Sequence, residues 1–154
     1  MVFLNDEIVA LGAGITANDG FNVRTTIDNR MLYKQGDITG AEDITINGTL
    51  MEKSASFTKE FSKAKWVQVE SEGGYVFPDG GELTVNKTDK NPSFFEMWFE
   101  HGVSPQNGSY SYIVLPNKSV EETMAYAKEP DVEILANTAK VQAVWEKKLN
   151  LTAL

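Results

Sequence analysis

The chain has 154 residues, 42% hydrophobic and 23% charged, which suits a single globular domain and excludes a wholly disordered polypeptide. Fourteen Lys and Arg against twenty-two Asp and Glu leave a net charge of −8 with no basic stripe, so nucleic acid is not an expected partner. There is no cysteine, which removes disulfides, thiolate nucleophiles and cysteine-built metal centres, and no apolar run nears the roughly 18 residues of a membrane span.

The first residues are apolar at once, with Val2-Phe3-Leu4 followed by Glu7-Ile8-Val9-Ala10-Leu11. No frayed polar leader precedes them, so the chain reads as a segment excised from a larger protein. Phe21, Val23, Thr25 and Ile27 alternate with Asn22, Arg24, Thr26 and Asp28, the two-residue period of a half-buried strand. Asp43 to Asn47 runs into an Asn47-Gly48 turn and returns through Thr49-Leu50-Met51. Trp66 to Val69 is a further alternating run. Tyr75-Val76-Phe77, the turn Pro78-Asp79-Gly80-Gly81 and Glu82-Leu83-Thr84-Val85 predict a hairpin. Phe94 to Phe99 and Tyr110 to Leu115 predict two aromatic-rich strands, separated by a loop over His101 to Gly108.

One helix is predicted over 119–128. Ser119-Val120-Glu121-Glu122 fits a capping box, helix formers follow, and Glu129-Pro130 ends the run. The tail from Val132 to Leu154 reads mostly as strand. No repeat or linker divides the chain. The expected fold is therefore all-β and mainly antiparallel, a β-sandwich over residues 1–154 with one short helix.

Gly12-Ala13-Gly14-Ile15-Thr16-Ala17 matches G-x-G-x-x-A after a strand-like run, the pattern of a dinucleotide-binding turn. That chemistry needs a helix N-terminus next, and Asn18-Asp19-Gly20 and another strand follow instead. The glycines are expected to serve strand packing. His101 is the only histidine. It is a general-base candidate, but no carboxylate or hydroxyl partner is evident beside it, so a structural imidazole is the expected role. One His, no Cys and no calcium-loop pattern give no metal site and no cofactor. Trp66, Tyr75, Trp98, Tyr110 and Tyr112 are candidates for stacking on sugar rings, although aromatics in strands usually face a core. Arg24 and Arg30, the only arginines, have the fork that suits a uronate carboxylate. The substrate-binding candidates are thus Arg24, Arg30, Trp66, Tyr75 and His101. Five N-x-[ST] sequons, at Asn47, Asn86, Asn107, Asn117 and Asn150, are attributed to turns in an Asn- and Thr-rich chain.

Taken together, four strings resemble polysaccharide lyase family 8, which holds the hyaluronate, chondroitin AC and xanthan lyases. Phe3-Leu4-Asn5-Asp6-Glu7-Ile8-Val9-Ala10-Leu11-Gly12-Ala13-Gly14-Ile15 resembles its F-x-D-D-E-I-V-A-L-G-A-x-I stretch. Thr25-Thr26-Ile27-Asp28-Asn29-Arg30 resembles T-T-[IV]-[DE]-N-R, and Gly74-Tyr75-Val76-Phe77-Pro78 resembles G-Y-x-F-P. His101-Gly102, Pro105 and Tyr110-Ser111-Tyr112-Ile113-Val114-Leu115-Pro116-Asn117 resemble H-G-x-x-P-x-x-x-x-Y-x-Y-x-x-L-P-N. The matches keep family order.

The resemblance implies a piece of the central β-domain, a large antiparallel super-sandwich that follows a helical toroid. It implies a secreted, extracellular or cell-surface bacterial parent that cleaves acidic polysaccharides by β-elimination. In the family the catalytic Tyr, His, Asn and Arg lie on the toroid, and a supporting Glu lies in a Y-E-x-x-N-x-E-N segment. His101 matches none of them, so no catalytic residue is carried over and the chain alone is expected to be inactive. The implied partners are the toroid and, through the parent, an acidic polysaccharide. The chain departs from the family where Leu83 to Lys90 runs almost directly into Asn91-Pro92, in place of a longer insert. A stand-alone carbohydrate-binding or adhesive sandwich is the alternative.

Overall fold

The computed structural model describes residues 1–32, 42–53, 55–90 and 92–154. Asn91, at the end of the shortened segment, lies outside them. In chain order the first strands are β1 (Val2–Phe3), β2 (Ile8–Ile15), β3 (Asn22–Met31), β4 (Ile44–Ile46) and β5 (Thr49–Leu50). Next come β6 (Phe57–Phe61), β7 (Trp66–Val69), β8 (Gly73–Val76), β9 (Leu83–Lys87), β10 (Phe94–Val103) and β11 (Gly108–Pro116). Helix α1 (Val120–Lys128) precedes β12 (Val132–Asn137), β13 (Gln142–Glu146) and β14 (Leu151–Ala153). The fold is all-β and antiparallel with one short helix, as the alternating pattern predicts.

Three sheets result. One has seven strands in the order β1-β2-β11-β8-β7-β4-β5, the second four in the order β3-β10-β9-β6, and the third is β12-β13-β14. The first two face each other across the main core, where Ala10, Val67, Tyr75, Leu83, Val85, Phe95, Met97 and Phe99 pack. The other face of the seven-stranded sheet is also covered. Val9, Leu11, Trp66, Val76, Ile113 and Leu115 meet Val132 and Val144 of the third sheet, with Val120 and Tyr126 of α1 against them. All four residues of β7 and of β8 are therefore buried, because side chains pointing either way leave water.

Two glycines permit the close approaches in this stack. A Cβ on Gly12 would lie 2.2 Å from Cε1 of the Tyr110 ring on the neighbouring strand. One on Gly74 would lie 2.3 Å from Thr123 Oγ1, so its absence lets α1 dock on β8. The G-x-G pattern lies inside β2, where Gly14 takes a positive φ as the extra residue of a bulge opposite β11, and a further strand rather than a helix follows it.

Three sequence readings need correction. Residues 75–85 do not form a hairpin: β8 pairs with β7 and β11, whereas β9 pairs with β6 and β10 in the facing sheet. The turn between them carries the chain from one sheet to the other. His101 lies in strand β10 rather than a loop, as the extra residue of a bulge between the Glu100–Arg24 and Gly102–Val23 pairs. A second bulge leaves Ile27 unpaired between Thr26 and Asp28, so alternation reverses there and Asp28, read as outward-facing, is buried. Strand β6 has no counterpart among the predicted elements.

The helix forms as predicted. The Ser119 side chain accepts from the Glu122 amide, and the Glu122 carboxylate accepts from the Ser119 amide at 2.9 Å. Four of the five sequon asparagines, Asn47, Asn107, Asn117 and Asn150, adopt positive φ, which fits their turn role.

Candidate functional site

The Ile27 bulge decides what the two arginines can do. Before it, Arg24 pairs in register with Glu100 on the outer face of the four-stranded sheet; after it, Arg30 pairs with Phe95 and turns toward the facing sheet. The arginines therefore do not converge on one ligand.

Arg30 enters a polar clasp between the sheets. Its Nε donates to Asp28 Oδ1 at 2.9 Å and its Nη2 to the Tyr75 hydroxyl at 3.1 Å, while Nη1 is ion-paired with Glu72. The Tyr75 hydroxyl in turn donates to Asp28 Oδ2 at 2.6 Å. Burial disfavours the Arg30 charge, but hydrogen bonds to Glu72 and then Asp28 outweigh it and raise the pKa. Burial foremost, and then Asp28, push the Tyr75 hydroxyl far above its ordinary range. Arg30 and Tyr75 thus meet, but two carboxylates already balance the guanidinium, and the tyrosine is 4% exposed.

Trp66 is 5% exposed and packs in the core beneath the third sheet and α1. The bulge turns the His101 imidazole toward Thr25, whose Oγ1 lies 2.8 Å from Nε2. Burial lowers its pKa, with Glu100 opposing, which favours the neutral ring near pH 7. A hydroxyl rather than a carboxylate holds it, so it lacks the charged orienter of a strong general base. Arg24 remains on the surface, with its guanidinium 4.9 Å above the Trp98 ring centroid. The Trp98 indole Nε1 donates to Glu100 Oε2 at 3.0 Å.

A grouping invisible in the sequence lies beside α1, in a cleft of about 620 Å³ whose lining includes Glu7, Tyr126, Asp131 and Lys148. Carboxylate oxygens of Glu7, Asp131 and Glu146 all lie within 4.8 Å of one another. Burial, with Asp131 and Glu146 adding to it, raises the Glu7 pKa. Asp131 is ion-paired with Lys148, and the Glu146 carboxylate accepts the amides of Lys148 and Leu149. The Tyr126 hydroxyl makes no well-formed hydrogen bond, although burial and the nearby Glu7 charge push its pKa up. Oxygen donors at this spacing are of the kind hard cations take. The three come from β13 and from the turns before β2 and β12, so no local spacing marks them in the sequence.

Residues 1–94 and 86–127 match polysaccharide lyase family 8, super-sandwich domain, and the chain belongs to that family. It is 34% identical to a xanthan lyase of Bacillus sp. (strain GL1), an alignment covering 96% of this chain and 18% of the relative. It is 33% identical to a hyaluronate lyase of Thermasporomyces composti, covering 92% of this chain and 20% of that protein. The solved structure of Paenibacillus xanthan lyase superposes with a TM-score of 0.84 at 31% identity, covering 96% of this chain and 16% of that one. The chain thus spans about a fifth of the length of the curated relatives it matches.

Proposed function

We propose that this chain is a non-catalytic part of the central β-domain of a secreted bacterial enzyme that cleaves uronic-acid-containing polysaccharides by β-elimination. In this reading residues 1–154 form one sandwich unit of a larger domain, pack against a helical toroid and wall one side of the glycan cleft. The super-sandwich match is the observation that carries the proposal. Relatives named xanthan and hyaluronate lyases supply the reaction class and the acidic substrate.

The side chains fit a supporting role. Elimination beside a uronate needs a base for the ring proton, a group to neutralise the carboxylate and an acid for the departing oxygen, all within reach of one sugar. The sequence candidates do not assemble such a set: Arg30 and Tyr75 are committed to Asp28, and His101 is held by Thr25. Arg24, exposed beside Trp98, is the sequence candidate best placed to meet a glycan carboxylate, with His101 half-buried in the bulge next to the Glu100–Arg24 pair.

The test incubates purified chain with hyaluronan, chondroitin sulfate and xanthan and follows the ultraviolet absorbance of the unsaturated uronate product. No rise is expected with any of them. A steady rise that survives repurification and disappears in His101→Ala would place the active site in this chain and overturn the proposal.

A further inference from the structure

Asn-Gly occurs twice in the chain, at Asn47-Gly48 before Thr49 and at Asn107-Gly108 before Ser109. In this dipeptide the glycine amide nitrogen reaches the asparagine side-chain carbonyl readily, because no Cβ on the following residue blocks the approach. The two sites are alike locally. Both asparagines are exposed, and both adopt positive φ, 49° at Asn47 and 60° at Asn107. Asn117 and Asn150 share that backbone conformation but precede Lys118 and Leu151, whose side chains crowd the attacking nitrogen.

The fold separates the two Asn-Gly sites. Asn47 Oδ1 accepts the amides of Lys65 at 3.0 Å and Trp66 at 3.1 Å. The carboxamide is thus fastened at the start of β7 and must break both hydrogen bonds to swing over the Gly48 nitrogen. The Asn107 carboxamide has no hydrogen-bond partner among the described residues; only its backbone amide is held, donating to Thr16 Oγ1 at 3.1 Å. Gly108 begins β11, and a bulge interrupts the pairing with β2 directly after it.

We propose that Asn107 is a self-modification site at which the chain deamidates through a cyclic imide. The Gly108 nitrogen bonds to the Asn107 side-chain carbonyl carbon and gives up its proton. The bond from that carbon to the side-chain nitrogen breaks, and ammonia leaves with the proton. Water then opens the imide at either carbonyl to give aspartate or isoaspartate, with no change of oxidation state. The product adds a negative charge to a chain already at −8, and the isoaspartate form also inserts a carbon into the main chain. The lengthened loop is the one that fastens the end of β2: the Ala17 amide donates to the Pro105 carbonyl at 3.0 Å, and Gln106 Nε2 donates to Asn18 Oδ1 at 2.9 Å. Deamidation therefore loosens this junction as the protein ages.

The experiment keeps the folded 154-residue chain in mildly alkaline buffer made with heavy-oxygen water and follows both sites by peptide mapping. The untethered Asn107 reaches near-attack geometry more often and should deamidate about tenfold faster than Asn47, with heavy oxygen entering its new carboxylate. In denaturing urea the Lys65 and Trp66 amides release Asn47, and the two rates should converge. Gly108→Ala crowds the nucleophile and should slow the reaction at Asn107 about tenfold. The strand accommodates that variant, because the added Cβ would meet nothing nearer than His101 Nδ1 at 3.4 Å. In the isoaspartate fraction the Ala17 amide should exchange faster with solvent. The proposal is overturned if the folded chain modifies Asn47 as fast as Asn107, if the same difference persists in urea, or if Gly108→Ala leaves the rate unchanged. Unaltered exchange at Ala17 would overturn the loosening of the junction.

Discussion

Tyr75 illustrates how a side chain with ligand-binding chemistry becomes structural. Its hydroxyl donates to Asp28 and accepts from Arg30, so it joins the facing sheets through a carboxylate and a guanidinium. Tyr75→Phe deletes both bonds but leaves the Asp28–Arg30 pair, and should cost about 1–2 kcal/mol in urea unfolding. Arg30→Met strands the buried Asp28 carboxylate and should cost more, about 3 kcal/mol. The reverse order would show that the tyrosine rather than the ion pair carries the clasp. Glu7 behaves differently, because its carboxyl is held above its ordinary range, by burial first and then by Asp131 and Glu146. A carboxyl whose folded pKa exceeds its unfolded one contributes stability that is present below the unfolded value and lost as pH rises through the folded one. Glu7→Gln should therefore raise the melting temperature near pH 7 and leave it little changed near pH 4. An equal loss at both pH values would mean that the Glu7 bond to the Asp6 amide outweighs repulsion within the carboxylate group.

At the scale of elements, α1 owes its position to two devices, a reciprocal cap at Ser119 and Glu122 and the missing Cβ of Gly74 beneath Thr123. Ser119→Ala removes an acceptor for the Glu122 amide and should cost about 1 kcal/mol. Amide exchange should rise through the first turn of α1 while β8 stays protected; faster exchange throughout β8 would show that the cap also holds the sheet. This helix was legible because S-x-x-E before a helix-forming run is a local chemical statement. Most strands were legible for the same reason, as alternation at Val23 to Ile27 and apolar enrichment at Tyr110 to Leu115 need no distant partner. The bulges were not. Ile27 continues an apolar alternation that looks regular, and His101-Gly102 has the composition of a turn, although both insert a residue into a continuing ladder. Pro78 to Gly81 likewise has the same turn chemistry whether it closes a hairpin or crosses between sheets. Long-range pairing decides that, with β6 and β10 taking both edges of β9. Phe57-Thr58-Lys59-Glu60-Phe61 escaped prediction because its exposed middle residues are polar and charged, and only its terminal phenylalanines pack on the core. The carboxylates beside α1 were illegible for a similar reason: Glu7, Asp131 and Glu146 meet only through docking of the third sheet.

For the molecule as a whole, the three layers are not equally anchored. Among the described residues the core between the two larger sheets holds sixteen buried side chains. The core beneath the third sheet holds eight, of which only Val132 and Val144 come from β12–β14. Local stability follows the apolar surface that an element buries, so β12–β14 should open before the two-sheet sandwich does. Hydrogen exchange at low urea should show β13 amides opening at a free energy on the order of 1–2 kcal/mol below that of β10 and β11. Trp66 reports the same event optically, because it lies in the smaller core at 5% exposure. In a Trp98→Phe/Trp145→Phe background its emission should shift to the red at urea concentrations where far-ultraviolet dichroism of the sandwich is still native. Coincident transitions, with β13 exchanging at the free energy of β10, would mean that the layers fold as one cooperative unit.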